Sequence, residues 1–410
     1  MTSLPSLSRR GLLAGAATAT ALATLGPGAP ASAADRTGRT GRVSAAGRTG
    51  HAGTGTLPAL DPEALRAAIG DLDHPPAVAA QLRVSGSAGR WYGASGVSDT
   101  ATGRPVGPND KVRAGSVTKP FVAVVVLQLA REGRLALDAP VRRYLPDLLP
   151  ATGAFRRITV AHLLDHTSGM PDHVGLPPDD TPEDVLRHRF DRWTPPRIVA
   201  TATGSPPKFE PGTAQEYRGV NYVLAALVVE RVTRRPYGAE VRDRVLRPLG
   251  LGHTDLPSLS GHDTRVHGPH LHGYLDMSDG RREDITAYDM SSSWAEGEIV
   301  TTTGDLTRFL AGLFSGALLQ GPWLRRMFTL PPDDVRMLDG GPARYSAGLQ
   351  TATVNGVTFW GKTGEQYGYG TGAFSTRDQR RRLVWTFTPT GLDADRGKMS
   401  RRVVEAATTR

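Results

Sequence analysis

The stretch SVTKPFVAVVVLQLARE, residues 116–132, is apolar on nearly every side and stops at Gly133. A segment that is apolar all round predicts a buried helix, and a glycine directly after it is typical of a helix C-terminus. Ser116 and Lys119 stand three residues apart at its beginning, so a helix would place both side chains on one face, close enough to touch. The stretch therefore predicts a central helix that carries a serine and a lysine at its N-terminal end.

The pairing of Ser116 with Lys119 suits nucleophilic catalysis. A lysine buried near a helix N-terminus loses its proton readily and can accept the proton of a serine hydroxyl. The helix N-terminus also orients the Ser116 backbone N–H toward an oxyanion. Only five of the 49 basic residues are lysines, and arginine cannot accept a proton at ordinary pH. This scarcity favours a chemical role for Lys119, although the four-residue S-x-x-K pattern alone also fits a helix with an N-cap serine.

Segments typical of strands lie at both ends of the chain, and helical patterns lie between them. The predicted strands are Ala77–Val84, Gly89–Val97, Tyr345–Ala352, Val357–Lys362, Gly370–Ser375 and Leu383–Thr388. The predicted helices include one that begins after Asp61, and Tyr222–Val232, Gly304–Phe314 and Ala394–Ala406. We therefore expect an α/β (α+β) fold in which an antiparallel sheet of about five or more strands, drawn from both chain ends and flanked by helices, carries an inserted, mostly helical region.

The N-terminus has the pattern of an export signal. Paired Arg9 and Arg10 precede a short uncharged run, and small residues at positions 31–33 form a cleavage site. We expect residues 1–33 to be a twin-arginine signal peptide that is cleaved before Ala34. The sequence thus predicts a secreted, extracellular protein with no membrane span in the mature chain.

The rest of the chain divides into a linker and one catalytic domain. Residues 34–57 are poor in large apolar side chains, which predicts a disordered linker. Residues 58–410 are predicted to form the catalytic domain, with the sheet part from 58–115 and 321–410 and the mostly helical part from 116–320. The sequence does not predict the oligomeric state.

Composition argues against several kinds of site. The chain has no cysteine, which excludes disulfides, thiolate nucleophiles and thiolate metal ligands. Much of the net charge of +9 comes from residues 1–57, which hold six arginines and one acid. Arg380, Arg381 and Arg382 form the only dense basic run and lie next to a strand, so we expect no nucleic-acid partner.

Histidine patterns suggest two further sites, and neither is the favoured interpretation. Four histidines, at 262, 267, 270 and 272, fall within eleven residues, and His270 and His272 have a spacing typical of metal ligands. No H-E-x-x-H pattern or acidic third ligand accompanies them. A surface loop is favoured, and no metal or cofactor is expected. His166 beside Asp165 resembles part of a catalytic triad, yet G-x-S-x-G is missing from the chain, so we expect a structural turn.

Six ordered motifs, within roughly residues 77–405, lead to a family resemblance. They are Gly115–Pro120, Ile158–Gly169, Phe209–Tyr217, Pro248–Leu251, Trp294 with Thr302–Leu306, and Gly361–Gly364. Together they resemble the serine β-lactamase and penicillin-binding protein superfamily, and within it the class C-like group of serine D-Ala-D-Ala carboxypeptidases, class C β-lactamases and related esterases.

The resemblance assigns catalytic roles to three residues. It implies that Ser116 is the nucleophile and that Lys119 is the general base for acylation, alone or through the Tyr217 hydroxyl. Because Lys119 and Lys362 would place two ammonium groups near this phenol, we expect its pKa to be lowered. A phenol of this kind could carry a proton to the leaving group.

The resemblance also implies a set of substrate-binding residues. Lys362 would meet a substrate carboxylate, and Thr363 could add a hydrogen bond. Gly364 completes the strand motif, and Glu365, by position, would supply the second backbone N–H of the oxyanion site. Trp294 either lines the pocket or packs in the core.

One motif departs from the family pattern and limits the functional prediction. Where the family has an asparagine that meets the substrate's amide side chain, this chain has Gly219, preceded by Arg218, which either binds substrate or is solvated. The expected function is a D-Ala-D-Ala carboxypeptidase of cell-wall peptides that forms an acyl-enzyme on Ser116. The alternatives are a class C-like β-lactamase or carboxylesterase, and a penicillin- or wall-peptide-binding protein with impaired turnover. The expected partner is a small-molecule or peptide substrate.

Overall fold

Apolar segments from both chain ends pair into a single antiparallel sheet. The computed structural model describes residues 57–151, 153–261 and 263–409. Its strands, in chain order, are β1 (Ala77–Ser85), β2 (Trp91–Asp99), β3 (Arg104–Pro105), β4 (Val112–Arg113), β5 (Ala214–Gln215), β6 (Tyr274–Asp276), β7 (Arg282–Asp284), β8 (Val300–Thr301), β9 (Arg336–Met337), β10 (Gln350–Val354), β11 (Val357–Gln366), β12 (Tyr369–Thr376) and β13 (Arg382–Pro389).

The main sheet has seven strands in the order β10-β11-β12-β13-β1-β2-β3. The two ends of the chain meet where β1 pairs with β13, with Leu82 opposite Trp385. Both strands are buried along most of their length, because helices cover each face of the sheet. The predicted α/β fold, with a sheet drawn from both chain ends, is confirmed.

Helices fill the middle of the chain and cover the sheet. They are α1 (Pro62–Gly70), α2 (Thr118–Arg131), α3 (Val160–Leu164), α4 (Pro182–His188), α5 (Pro195–Thr203), α6 (Val220–Thr233), α7 (Tyr237–Val241), α8 (Thr303–Ser315), α9 (Gly321–Arg326) and α10 (Arg396–Ala406). Helices α2 and α6 pack on each other in the largest apolar core, whereas α1 and α10 pack together on the opposite face of the sheet.

The start of α2 differs from the predicted helix in a way that matters for the site. Residues Gly115–Val117 form a 3-10 turn, and the α-helix begins at Thr118. Both the backbone N–H and the hydroxyl of Thr118 donate to the Gly115 carbonyl, which tightens the chain just before the helix. Ser116 therefore lies on a tight turn, with α2 buried behind it.

Other boundaries shift for local reasons. The strand predicted to begin at Tyr345 begins at Gln350, because the Tyr345 backbone N–H donates to the Gln215 side chain instead of entering the sheet. Asp61 caps α1 as predicted. The N-cap of α8 is Thr302, and Asp305 lies in the first turn of that helix.

The predicted signal peptide, 1–33, and all of the predicted linker, 34–57, except its last residue lie outside the described residues. Leu57 itself is buried. Within the described ranges, no helix is both long and apolar enough to cross a bilayer.

Candidate active site

Ser116 lies between the two side chains that could take its proton. Its Oγ is 3.0 Å from the Lys119 ammonium nitrogen and 2.7 Å from the Tyr217 hydroxyl, and both are placed to donate to it. Lys119 lies in the first turn of α2, whereas Tyr217 lies in the segment that leads into α6. The structure thus brings together the nucleophile and both candidate proton carriers that the sequence predicts.

Lys119 is almost fully buried at the base of the site. Its Nζ donates to the Glu296 carbonyl at 2.8 Å and lies 3.5 Å from the Glu296 carboxylate. Burial lowers the pKa of Lys119 to about 8, because desolvation penalises the ammonium more than Glu296 stabilises it. A substantial neutral fraction at mildly alkaline pH lets this amine act as a base.

Tyr217 corrects one expectation. We expected Lys119 and Lys362 to lower the pKa of the phenol, but burial raises it well above its usual value. The two ammonium groups lie over the ring, 5.0 and 4.6 Å from its centre. Tyr217 is therefore a neutral phenol that donates to Ser116, and it suits a proton relay better than an initial base.

Strand β11 runs tightly against the turn that carries the nucleophile. A Cβ at Gly364 would lie 1.9 Å from the Ala114 carbonyl oxygen and 2.9 Å from the Ser116 nitrogen. A Cβ at Gly115 would lie 2.5 Å from the Glu365 nitrogen. Only glycine permits this approach, which brings the backbone nitrogens of Ser116 and Glu365 close to each other. An oxyanion hole made of these two N–H groups fits the geometry.

Lys362 and Thr363 are held by a residue that the sequence did not single out. Lys362 Nζ donates to the Thr363 carbonyl at 2.9 Å and to Gln350 Oε1 at 3.2 Å, and the Thr363 hydroxyl lies 3.4 Å from the same oxygen. Burial, assisted by Lys119, lowers the pKa of Lys362 well below its usual value. Gln350 lies on β10, opposite Gly361 of β11. A sequence pattern does not reveal this pairing.

Trp294 belongs to the core of the helical region. Its ring packs edge-on against Tyr237 with centroids 4.7 Å apart, and the side chain is buried. Of the two interpretations from the sequence, core packing accounts for this placement.

Glu296 is the site residue that the sequence interpretation missed. A Cβ at Gly219 would lie 1.5 Å from a Glu296 carboxylate oxygen, so the carboxylate fills the space that a side chain at 219 would need. Gly219 has an ordinary helical φ of −63°, which any residue adopts. Because the backbone at residue 219 would accept any side chain, glycine there indicates that another group approaches closely. This glycine was the signal that could have revealed Glu296.

His166 supports Tyr217 from behind. Its ring lies 4.4 Å from the Tyr217 ring, and its Nδ1 accepts from the Arg218 backbone N–H. Burial lowers the pKa of His166 well below its usual value, so the imidazole is neutral. This agrees with the expected structural role of the turn.

Arg218 is neither solvated nor open to a ligand, because it is buried and forms ion pairs with Asp172 and Glu216.

The histidine-rich segment forms ordinary loop contacts. His267 pairs with Asp263, His272 pairs with Asp284, and His270 bonds the Gly268 carbonyl. His262 lies outside the described residues. Among those that the structure does describe, no group of three or more His, Cys, Asp or Glu side chains is placed to hold a metal ion.

Sequence comparison with known proteins finds a family that matches most of the chain. Residues 65–408 match the protein family described as Beta-lactamase. The chain is 39% identical to esterase EstB of Burkholderia gladioli over 171 residues, which are 38% of this chain and 41% of EstB. It is 23% identical to penicillin-binding protein 4* of Bacillus subtilis (strain 168) over 313 residues, 72% of this chain and 64% of that protein. The matches thus span less than two thirds of these curated relatives.

Among solved structures, a D-stereospecific amidohydrolase from Streptomyces sp. is similar over nearly its whole length. The two chains are 32% identical with a TM-score of 0.73, and the match covers 85% of this chain and 99% of the amidohydrolase.

Proposed function

Because this chain belongs to the β-lactamase family of serine hydrolases, we propose that it hydrolyses amide bonds that follow a D-amino acid residue, through an acyl-enzyme on Ser116. The observation that carries the proposal is the contact of Ser116 Oγ with both Lys119 and Tyr217. The similarity to the D-stereospecific amidohydrolase, which extends over 99% of that chain, supports the stereochemical part.

The chemistry follows from the contacts in the site. Neutral Lys119 accepts the Ser116 proton while Oγ attacks the substrate carbonyl carbon. The backbone N–H groups of Ser116 and Glu365 stabilise the oxyanion. The Tyr217 hydroxyl, still protonated, donates to the leaving amine and regains a proton from Lys119. Water then attacks the ester on Ser116, while the proton transfers through Lys119 and Tyr217 run in the reverse direction. This step releases the acid and restores the serine.

The D-Ala-D-Ala carboxypeptidase activity expected from the sequence remains a narrower form of this proposal. It also cleaves after a D-residue, but it requires recognition of a terminal carboxylate. Lys362 would have to provide that recognition, yet its pKa is lowered and its nitrogen is engaged by Thr363 and Gln350. These contacts favour substrates without a terminal carboxylate.

Export through residues 1–33 is likewise proposed, and detection of mature protein beginning at Ala34 in the culture medium tests it.

Direct assays of purified protein test the proposal. The substrates are D- and L-phenylalanine amide, an acylated D-Ala-D-Ala peptide, a chromogenic cephalosporin and a nitrophenyl ester. We expect cleavage of the D-amide over the L-amide, and a loss of about 10³-fold or more in kcat/KM in Ser116→Ala. Equal cleavage of the two enantiomers would contradict the D-specificity, and an active Ser116→Ala variant would contradict the nucleophile assignment.

The proton relay has its own test in Tyr217→Phe. Removal of the hydroxyl takes away the donor to the leaving group, so kcat should fall by about 10²- to 10³-fold while KM changes little. Tyr345→Phe is the matched control, because its ring packs 5.2 Å from that of Tyr217 without contacting Ser116. Equal losses in both variants would show that packing, and not the Tyr217 hydroxyl, carries the effect.

A further inference from the structure

Glu296 brings a carboxylate into the active site that the proposed chemistry does not use. Its side chain is about 10% exposed, and one carboxylate oxygen lies 3.5 Å from Lys119 Nζ, which itself contacts the nucleophile. A general base works better without a neighbouring anion, since the anion stabilises the protonated form. Catalysis by Lys119 therefore does not explain why a carboxylate lies here.

The position of this carboxylate matches that of the missing asparagine. The Glu296 oxygen lies where a side chain at residue 219 would begin, and Gly219 leaves that space open. An asparagine amide can donate to a substrate carbonyl, whereas an ionised carboxylate only accepts hydrogen bonds. The exchange turns a site suited to an acylated amine into one suited to a positively charged donor.

Charge balance points to the same kind of ligand. Burial raises the pKa of Glu296, and Lys119 opposes that rise as its nearest cation. When Lys119 gives up its proton to act as a base, the Glu296 anion loses this partner, and a buried unpaired charge is costly. An ammonium group on the substrate would replace the lost charge at the moment when Lys119 must be neutral.

The distances allow this contact. In an aminoacyl ester on Ser116, standard bond lengths place the α-nitrogen about 3 to 4 Å from Oγ. Lys119 Nζ is 3.0 Å from that oxygen, and the Glu296 carboxylate is 3.5 Å from the same Nζ, so both groups lie around one ammonium nitrogen. An α-ammonium on the Lys119 side of the ester can therefore approach the carboxylate to hydrogen-bonding distance.

We propose that Glu296 binds the α-ammonium group of the substrate, so that the enzyme acts on D-amino acid amides and esters with a free amine and discriminates against N-acylated peptides and β-lactams. This inference rests on the proposed function and names its substrate class. It assigns Glu296 as a specificity residue, and Gly219 as the residue that makes room for it.

Two substrate pairs that differ only at nitrogen test the proposal. They are D-phenylalanine p-nitroanilide with its N-acetyl derivative, and D-phenylalanine methyl ester with its N-acetyl derivative, measured at pH 7.5 with the wild-type chain. A charge-assisted hydrogen bond predicts a preference for the free amine of about tenfold to 100-fold in kcat/KM. An equal or greater rate with the acetylated substrates would overturn the inference, whatever the variants do.

The variants then assign the preference to one residue. Glu296→Gln keeps the shape but removes the charge, so the preference should collapse by about tenfold or more, chiefly through KM for the free amine. Glu298→Gln is the matched control, because its carboxylate is also buried but bonds Tyr237 and Ser258 away from the nucleophile. A preference that survives in Glu296→Gln, or that falls equally in both variants, overturns the assignment.

Failure of the inference and failure of the proposed function give different results. If the wild type cleaves both members of a pair equally well with D-specificity, the proposed function stands and the role of Glu296 is wrong. If only the esters are cleaved, or the L-enantiomers are cleaved as fast, the proposed function fails. The amine preference within the ester pair still decides the inference in that case.

Discussion

At the scale of single residues, the site is organised around a buried base whose charge is kept in balance. Desolvation lowers the pKa of Lys119, Glu296 counteracts the shift, and Lys362 and His166 lie nearby with lowered pKa values of their own. Tyr217 keeps its proton because burial raises its pKa. Lys119 is therefore the group whose titration should control activity near neutral pH.

The pH profile follows from this assignment. On a nitrophenyl ester without a titrating group, kcat/KM should rise with pH through about 8, because only neutral Lys119 accepts the Ser116 proton. In Glu296→Gln the ammonium loses its stabilising anion, so this rise should move about one unit toward lower pH. Glu298→Gln should leave the midpoint in place. A midpoint that stays fixed in Glu296→Gln would show that the carboxylate does not act on Lys119.

At the scale of elements, the decisive contact joins β11 to the turn before α2. Gly364 has no room for a methyl group, because the Ala114 carbonyl and the Ser116 nitrogen lie against it. Gly364→Ala should push the strand away from the turn, cost about 3 kcal/mol or more in unfolding free energy, and abolish turnover. Gly252→Ala is the control, since a Cβ there meets open space. Denaturant unfolding and kcat/KM measured together check the pair, and an active Gly364→Ala protein would contradict this close approach.

The same elements show what the sequence could and could not predict. The glycine-rich turn and strand are local patterns, so the sequence alone identifies Ser116, Lys119 and the strand motif at Gly364. It does not identify Glu296, whose role depends on the close approach of its carboxylate to Gly219, a residue far away in sequence. The pKa direction predicted for Tyr217 was wrong for a related reason: motif spacing shows which charges are near, but not how deeply the ring is buried.

At the scale of the whole molecule, catalysis depends on the meeting of the two chain ends. Helix α1 from the N-terminal side and α10 from the C-terminal side pack together on the face of the sheet away from the helical region. Strand β1 continues the sheet from β13, and β12 then connects β13 to β11. The strand that supplies Lys362 and Glu365 is therefore supported by contacts between distant parts of the chain.

A substitution in the remote core should consequently affect the site and the fold together. Leu65 in α1 is fully buried against the sheet in a cluster that includes Val403 of α10. Leu65→Ala should cost about 2 to 5 kcal/mol, and loss of activity in denaturant should coincide with loss of helical circular dichroism, because one cooperative unit unfolds. Leu338→Ala, at a side chain that is 48% exposed, should leave both midpoints within error of the wild type. If activity in Leu65→Ala were lost well before the circular dichroism signal, the helical region and the sheet would be separate folding units.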